Sequence, residues 1–140
     1  MNNTKYLNKL ANEHTYYSLN IIRVGLGVFI FYKGLYFMNH MLLLSNLIEP
    51  LKNYVGEIIL LHYIVPAHLI GGVLIIIGLL TRWAISAQIP ILIGALFVNI
   101  LGDMSILNLV IIMSIIFVSL FFLIYGSGKN SVDYYLKMEQ

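Results

Sequence analysis

Residues 105–125 read SILNLVIIMSIIFVSLFFLIY and carry no charged side chain. An α-helix needs about 20 predominantly apolar residues to cross the roughly 30 Å hydrocarbon core of a bilayer. This run has that length, and it lacks the alternation of polar and apolar residues that is typical of a membrane β-strand. It therefore predicts a transmembrane helix, because lipid provides no water to satisfy the open edge of a sheet.

Earlier runs of the same character predict three more spans. They cover residues 18–38, 58–80 and 83–101. The connections at 81–82 and 102–104 are so short that the helices they join must run antiparallel. The sequence thus predicts a single membrane domain over residues 1–140, an all-α, polytopic integral membrane four-helix bundle.

The segment 39–57, between the first and second spans, is expected to lie in the membrane interface. It mixes leucines with polar residues such as Asn46, Glu49 and Lys52, which is an amphipathic pattern. Pro50 is expected to interrupt it, and the apolar stretch before Pro50 is too short to span. An amphipathic cap between helices 1 and 2 is therefore predicted.

The composition narrows the classes of function. Hydrophobic residues make up 60% of the chain, the mean hydropathy is +0.89 and the net charge is only +2. So weak and scattered a positive charge argues against a nucleic-acid partner. The chain has no cysteine, which excludes disulfides, thiolate zinc sites and cysteine-ligated iron–sulfur clusters within it. The lipid bilayer is the expected environment.

Most positive charges fall on one side of the predicted bundle, and only Lys33 and Lys52 fall toward the other. Those on the first side are Lys5, Lys9, Arg23, Arg82, Lys129 and Lys137. Because Lys and Arg accumulate in cytoplasmic segments, both termini are predicted to be cytoplasmic, in a bacterial inner membrane. The polar stretch 1–17 is not typical of a cleavable signal, so the first span is expected to remain.

Small residues mark faces where helices can approach closely. Gly27 and Gly34 share one face of the first helix with Arg23, and Gly71 and Gly72 give the second helix a similar surface. These residues are interpreted as packing positions, and such faces would also permit a homo-oligomer.

Arg23 lies near one end of its span, where its long side chain can reach the interface. It is expected to pair with Asp133 or with the carbonyl ends of helices. Three of the sequence fragments around these residues are characteristic in their order and spacing. They are Arg23-Val24-Gly25-Leu26-Gly27, Gly71-Gly72 followed by Gly78-Leu79-Leu80-Thr81-Arg82, and Tyr125-Gly126-Ser127-Gly128-Lys129-Asn130-Ser131-Val132-Asp133.

With these fragments the chain resembles the DoxX family of small membrane proteins, in register over roughly residues 22–133. The pairs Lys33-Gly34 and Ala67-His68 are similar to a branch of that family from Bacteroidetes-type bacteria. The resemblance implies a four-helix bundle that often works beside a redox enzyme. Members include a subunit of a thiosulfate:quinone oxidoreductase and a membrane partner of superoxide dismutase and a sulfurtransferase, and more distant relatives are assembly factors.

Polar side chains concentrate in the half of the membrane opposite the termini. They are Lys33, His62, His68, Asn99, Asp103 and Asn108. Such groups are costly in lipid, which makes them candidates for a ligand site. One hypothesis is a quinone head group in a pocket bounded by Lys33, His68 and Asn99. The alternative is structural, with His68 bonded to a carbonyl or to Asn99, and with Lys33 paired to Asp103 or Glu57.

The sequence gives less support to a metal or haem cofactor and to catalysis by this chain alone. No His-x-x-x-His or Glu-x-x-His spacing occurs, so no metal site is predicted. Haem is disfavoured because His62 and His68 face different directions on one helix. No nucleophile elbow, phosphate loop or dinucleotide fingerprint is present, so a stand-alone enzyme is not expected.

Three functions remain as hypotheses from the sequence. The first is an accessory subunit of a redox or quinone-linked complex, and the second is a scaffold or assembly factor for other membrane proteins. The third, a small-solute or proton pathway, needs a continuous polar route, and the half of the bundle nearer the termini offers few polar residues for one.

Overall fold

The structure, a computed structural model, describes residues 17–102 and 104–136, and within them every regular element is an α-helix. The predicted all-α fold is confirmed, with four helices long and apolar enough to cross a membrane. In chain order the elements are α1 (Tyr17–Asn39), α2 (Met41–Leu47), α3 (Glu49–Val55), α4 (Glu57–Ile77), α5 (Thr81–Leu101), α6 (Ile106–Tyr125) and α7 (Val132–Tyr135).

The turn between α4 and α5 begins earlier than the sequence pattern suggested. α4 ends at Ile77 because Gly78 takes a left-handed conformation, with φ of 73°, and the N–H groups of both Gly78 and Leu79 donate to the carbonyl of Leu74. This is a helix ending that favours glycine. Leu80 follows with φ of 48°, and α5 starts at Thr81.

The two ends of the four-helix bundle are built from different elements. The Arg23 end comprises the start of α1, the α4–α5 turn, the end of α6 and the segment 126–136. The cap end comprises the α5–α6 turn and the short helices α2 and α3.

Each end has its own apolar core. The core at the Arg23 end takes residues from all four spans, namely Leu26, Ile30, Ile75, Ala84, Ile85 and Phe122. At the cap end, Leu44 and Ile48 of the cap pack against Ile64 and Val65 of α4. The four spans therefore converge at the Arg23 end, while the cap contributes half of the buried core at the other.

A polar network fastens the cap to the first turn of α4. The Lys52 ammonium lies 2.5 Å from a carboxylate oxygen of Glu49 and 3.4 Å from one of Glu57. Lys52 also donates to the Ser45 hydroxyl, which in turn donates to Glu57. Glu57 thus contacts the cap, and the pairing of Lys33 with Glu57 considered above is not observed.

Candidate functional site

α1 and α4 pack closely against each other along a seam that contains Gly27 and Gly72. A Cβ added to Gly27 would lie 2.8 Å from the Ile76 nitrogen and 2.9 Å from the Gly72 carbonyl oxygen. A Cβ on Gly72 would lie 2.7 Å from the Phe31 nitrogen. Real Cβ atoms do not approach main chain so closely, so these glycines set the distance between the two helices.

His68 lies along this seam, toward the cap end. It is 7% exposed, and its Nδ1 lies 3.0 Å from the carbonyl oxygen of Ile64, one turn earlier on α4. On the α1 side, the Phe37 ring meets the imidazole edge-on at 5.8 Å, and a Cβ on Gly34 would lie 2.9 Å from the His68 Cβ. Helix packing and one hydrogen bond therefore fix the ring.

Lys33 stands one helical turn before Phe37 on α1. Its Nζ lies 5.8 Å from the centre of the Phe29 ring and 5.9 Å from that of Tyr36, a cation–π geometry. We call Lys33, Phe37 and His68 the seam cluster.

The other predicted site residues do not join the seam cluster through any hydrogen bond in the described part of the chain. His62 is exposed, and its Nδ1 bonds the Ile58 carbonyl. Asn99 bonds the main chain of Ser105 through both ends of its amide, at 3.3 and 3.4 Å, and so closes the α5–α6 turn. Asp103 lies outside the described residues, as do Lys5, Lys9 and Lys137.

At the opposite end, Arg23 is 2% exposed. Its Nη1 donates to the Ser127 carbonyl at 2.5 Å, and its Nη2 donates to the Asn130 carbonyl at 3.0 Å and to the Asn20 side chain at 2.6 Å. Arg23 was predicted to pair with Asp133 or with the carbonyl ends of helices. It does bond carbonyl oxygens, but these belong to the loop after α6.

Asp133 lies in the same region, with both carboxylate oxygens turned to the start of α5. They accept hydrogen bonds from the N–H groups of Leu80, at 2.6 Å, and Thr81, at 3.1 Å. Next to Thr81, Arg82 donates to the Ile124 carbonyl at 3.0 Å, near the end of α6. Three charged residues thus stabilise the Arg23 end through main-chain groups.

Sequence reasoning missed the polar contacts that join α4 to α5. The Gln88 amide donates to the Ala67 carbonyl at 2.5 Å, and the Tyr63 hydroxyl donates to the Ala87 carbonyl at 2.7 Å. Gln88 could have indicated such a contact, because it is a polar residue within an apolar run. In the structure Gln88 is only 1% exposed. Its partner is a main-chain group, which no residue type reveals.

The comparison with known families places this geometry in context. The family model named DoxX matches residues 18–99. The chain belongs to the DoxX family. No curated protein and no solved structure matches it. The match takes in α1, the cap, α4 and α5 as far as Asn99, and hence the whole seam cluster, while α6 and Asp133 of this DoxX protein lie beyond it.

Proposed function

We propose that this DoxX-family membrane protein is an accessory subunit of a redox or quinone-linked complex, and that its seam cluster binds the quinone head group. The observation that carries the proposal is the fixed imidazole of His68. A carbonyl oxygen can only accept, so the ring nitrogen facing Ile64 must donate. In the neutral imidazole the other nitrogen, Nε2, is then an acceptor.

The seam cluster offers groups suited to a quinone in either redox state. Nε2 of His68 can accept a hydrogen bond from the hydroxyl of a hydroquinone, and Lys33 can donate to a carbonyl oxygen of a quinone. The Phe37 ring, which meets the imidazole edge-on, adds an aromatic surface beside His68. These groups would bind and orient the head group, whereas the electron-transfer partner would be supplied by the rest of the complex.

The test is recovery of the protein from its own membrane by mild extraction, with quinones and co-purifying proteins quantified. His68→Leu removes the acceptor, and His62→Leu is the matched control, because His62 makes the same bond to its own helix at an exposed position. Wild type and His62→Leu should retain stoichiometric quinone and a redox enzyme, and His68→Leu should lose the quinone but keep the enzyme. Recovery of wild type with neither would overturn the proposal.

The second candidate is a scaffold or assembly factor for other membrane proteins. It is favoured by α6, whose apolar side chains are largely uncovered, with Phe117 75% exposed. In this case a membrane protein without redox centres would be recovered with the wild type, and His68→Leu would leave its recovery unchanged.

A small-solute or proton pathway has the least support. The amides of Gln88 and Asn99, two of the polar groups available inside the spans, are bonded to main chain. We further propose that the Arg23 end faces the cytoplasm of a bacterial inner membrane, since Arg23, Arg82 and Lys129 gather there.

A further inference from the structure

A hydrogen bond from α5 reaches the main chain of α4 beside His68. The Gln88 amide donates to the Ala67 carbonyl oxygen at 2.5 Å, and this carbonyl belongs to the peptide group that joins Ala67 to His68. The imidazole itself meets Phe37 of α1. α4 is therefore held at one point by two helices, because α1 contacts the His68 side chain and α5 bonds the adjoining main chain.

Gly71 makes room for this hydrogen bond. A Cβ at Gly71 would lie 2.6 Å from Nε2 of Gln88, in the space that the amide occupies. The nearest main-chain atom of α5, the Ala84 carbonyl oxygen, would lie 3.8 Å away, which is an ordinary contact distance. Gly71 thus differs from Gly72, where a Cβ would meet the main chain of α1 at 2.7 Å. Gly72 allows two helices to approach, whereas Gly71 admits the Gln88 amide.

Pro66 explains why α4 needs support at this point. A proline inside a helix offers no N–H to the carbonyl four residues earlier, and its ring displaces that carbonyl, so helices weaken and kink at proline. The bond between the His68 imidazole and the Ile64 carbonyl spans Pro66, so the geometry of that bond depends on the weakened turn. Gln88 supplies a hydrogen bond from a neighbouring helix directly after Pro66.

We propose that Gln88 is a positioning residue for His68. Its amide holds the peptide group of Ala67 and His68, and thereby the orientation of the imidazole against Phe37, without contacting a ligand. Gln88 is 1% exposed, so the bond is shielded from water and strengthened by its apolar surroundings. The value of this orientation for quinone binding rests on the proposed function, but the link from Gln88 to His68 can be measured without a ligand.

The test is nitrogen NMR of the full chain in detergent without quinone, with isotope-labelled histidine rings, because the two imidazole tautomers give different signals. The His68 signals are identified by their loss in His68→Leu. In the wild type they should show a proton fixed on Nδ1. Gln88→Met keeps the length of the side chain but cannot donate, and it should shift the His68 signals toward a mixture of tautomers. Gly71→Ala should cause the same shift, because its methyl displaces the amide.

Tyr63→Phe is the matched control. It removes another hydrogen bond between the same two helices, from the Tyr63 hydroxyl to the Ala87 carbonyl at 2.7 Å, but the acceptor of that bond is on α5. The His68 signals should therefore stay as in the wild type. Thermal unfolding of each variant checks that the fold is retained. Unchanged His68 signals in either folded variant, Gln88→Met or Gly71→Ala, or an equal shift in Tyr63→Phe, would overturn the positioning role.

Quinone binding, measured with decylubiquinone as the probe, separates this inference from the proposed function. Gln88→Met should weaken the affinity about threefold, the effect of losing one average hydrogen bond between membrane helices. Tyr63→Phe should leave the affinity unchanged. If the wild type binds no quinone while the His68 signals still respond to Gln88→Met, the proposed function fails and the positioning role stands. Equal quinone affinities of the wild type and Gln88→Met would overturn the positioning role.

Discussion

The main-chain N–H of Leu80 lies 2.6 Å from Oδ1 of Asp133. Leu80 is the one non-glycine residue with positive φ in the described chain, so this bond stabilises a turn that is itself unfavourable. Oδ2 accepts from Thr81, and the Asp133 N–H donates to the Gly78 carbonyl at 2.9 Å. The carboxylate therefore caps α5, where the helix dipole favours negative charge, and ties the C-terminal segment to the α4–α5 turn.

Replacing Asp133 should destabilise the whole bundle. Asp133→Ala leaves two N–H groups of the turn without acceptors, which should cost about 1–3 kcal/mol of unfolding free energy. Asp133→Asn keeps one acceptor oxygen and should cost less. The measurement is unfolding by SDS in mixed micelles. Tyr135→Ala, at a position 77% exposed in the same segment, is the control, and an equal effect from it would contradict the capping role.

Closing the gap between α1 and α4 should also destabilise the protein. Gly27→Ala places a methyl against the main chain of α4, and overpacking of this kind typically costs about 1–3 kcal/mol. Gly25→Ala is the matched control on the same helix, because a Cβ there would meet nothing within 4 Å. The same unfolding assay should show a loss for Gly27→Ala and none for Gly25→Ala. Equal losses would contradict the role of the seam, because helix propensity alone favours alanine over glycine at both positions.

The spans could be predicted from the sequence because a long apolar run is a local property. The rotation of each helix about its axis is not a local property, and this rotation decides which polar groups come into contact. Asn99 was considered as part of a pocket with His68, yet it bonds Ser105 across the α5–α6 turn, and that contact depends on turn geometry. His68 itself bonds a carbonyl of its own helix, one of the two alternatives considered for it.

The Arg23 end shows the same distinction. Opposite charges suggested that Arg23 and Asp133 would pair. The described hydrogen bonds of Arg23 run to the Ser127 and Asn130 carbonyls and to the Asn20 side chain, and those of the Asp133 carboxylate run to the N–H groups of Leu80 and Thr81. Every residue except proline carries such a donor and acceptor, so the sequence does not identify the partner. The cap network could be anticipated only as an amphipathic segment, because Ser45 and Glu57 meet through the fold of α2, α3 and α4.

Breaking the cap network should loosen the cap. Lys52→Met removes the cation shared by Glu49 and Glu57, and the exposure of the cap core should rise up to about fivefold, as expected for an ion pair near the surface. The chain has no cysteine, so Leu44→Cys can report on that core through its rate of maleimide labelling. Leu42→Cys, at an exposed position, is the control whose rate should not change.

The same assay has a defined pH dependence. The pKa of Lys52 is raised above its ordinary value of 10.5, chiefly by the hydrogen bond to the Glu49 carboxylate. The contribution of the charged Lys52 is complete below that ordinary value and is lost as pH rises through the raised pKa. The ratio of labelling rates between Lys52→Met and the wild-type cap should therefore stay constant from neutral to mildly alkaline pH. A ratio that falls within that range would show that Lys52 is already losing its proton.

The orientation of the bundle can be read from two single cysteines. Tyr54→Cys lies in α3 at the cap end and Tyr135→Cys in α7 at the Arg23 end, and both positions are highly exposed. If the gathered positive charges keep the Arg23 end in the cytoplasm, an impermeant maleimide should label Tyr54→Cys on intact spheroplasts and Tyr135→Cys only after permeabilisation. The opposite pattern would invert the topology. Labelling of both cysteines after denaturation controls for their reactivity.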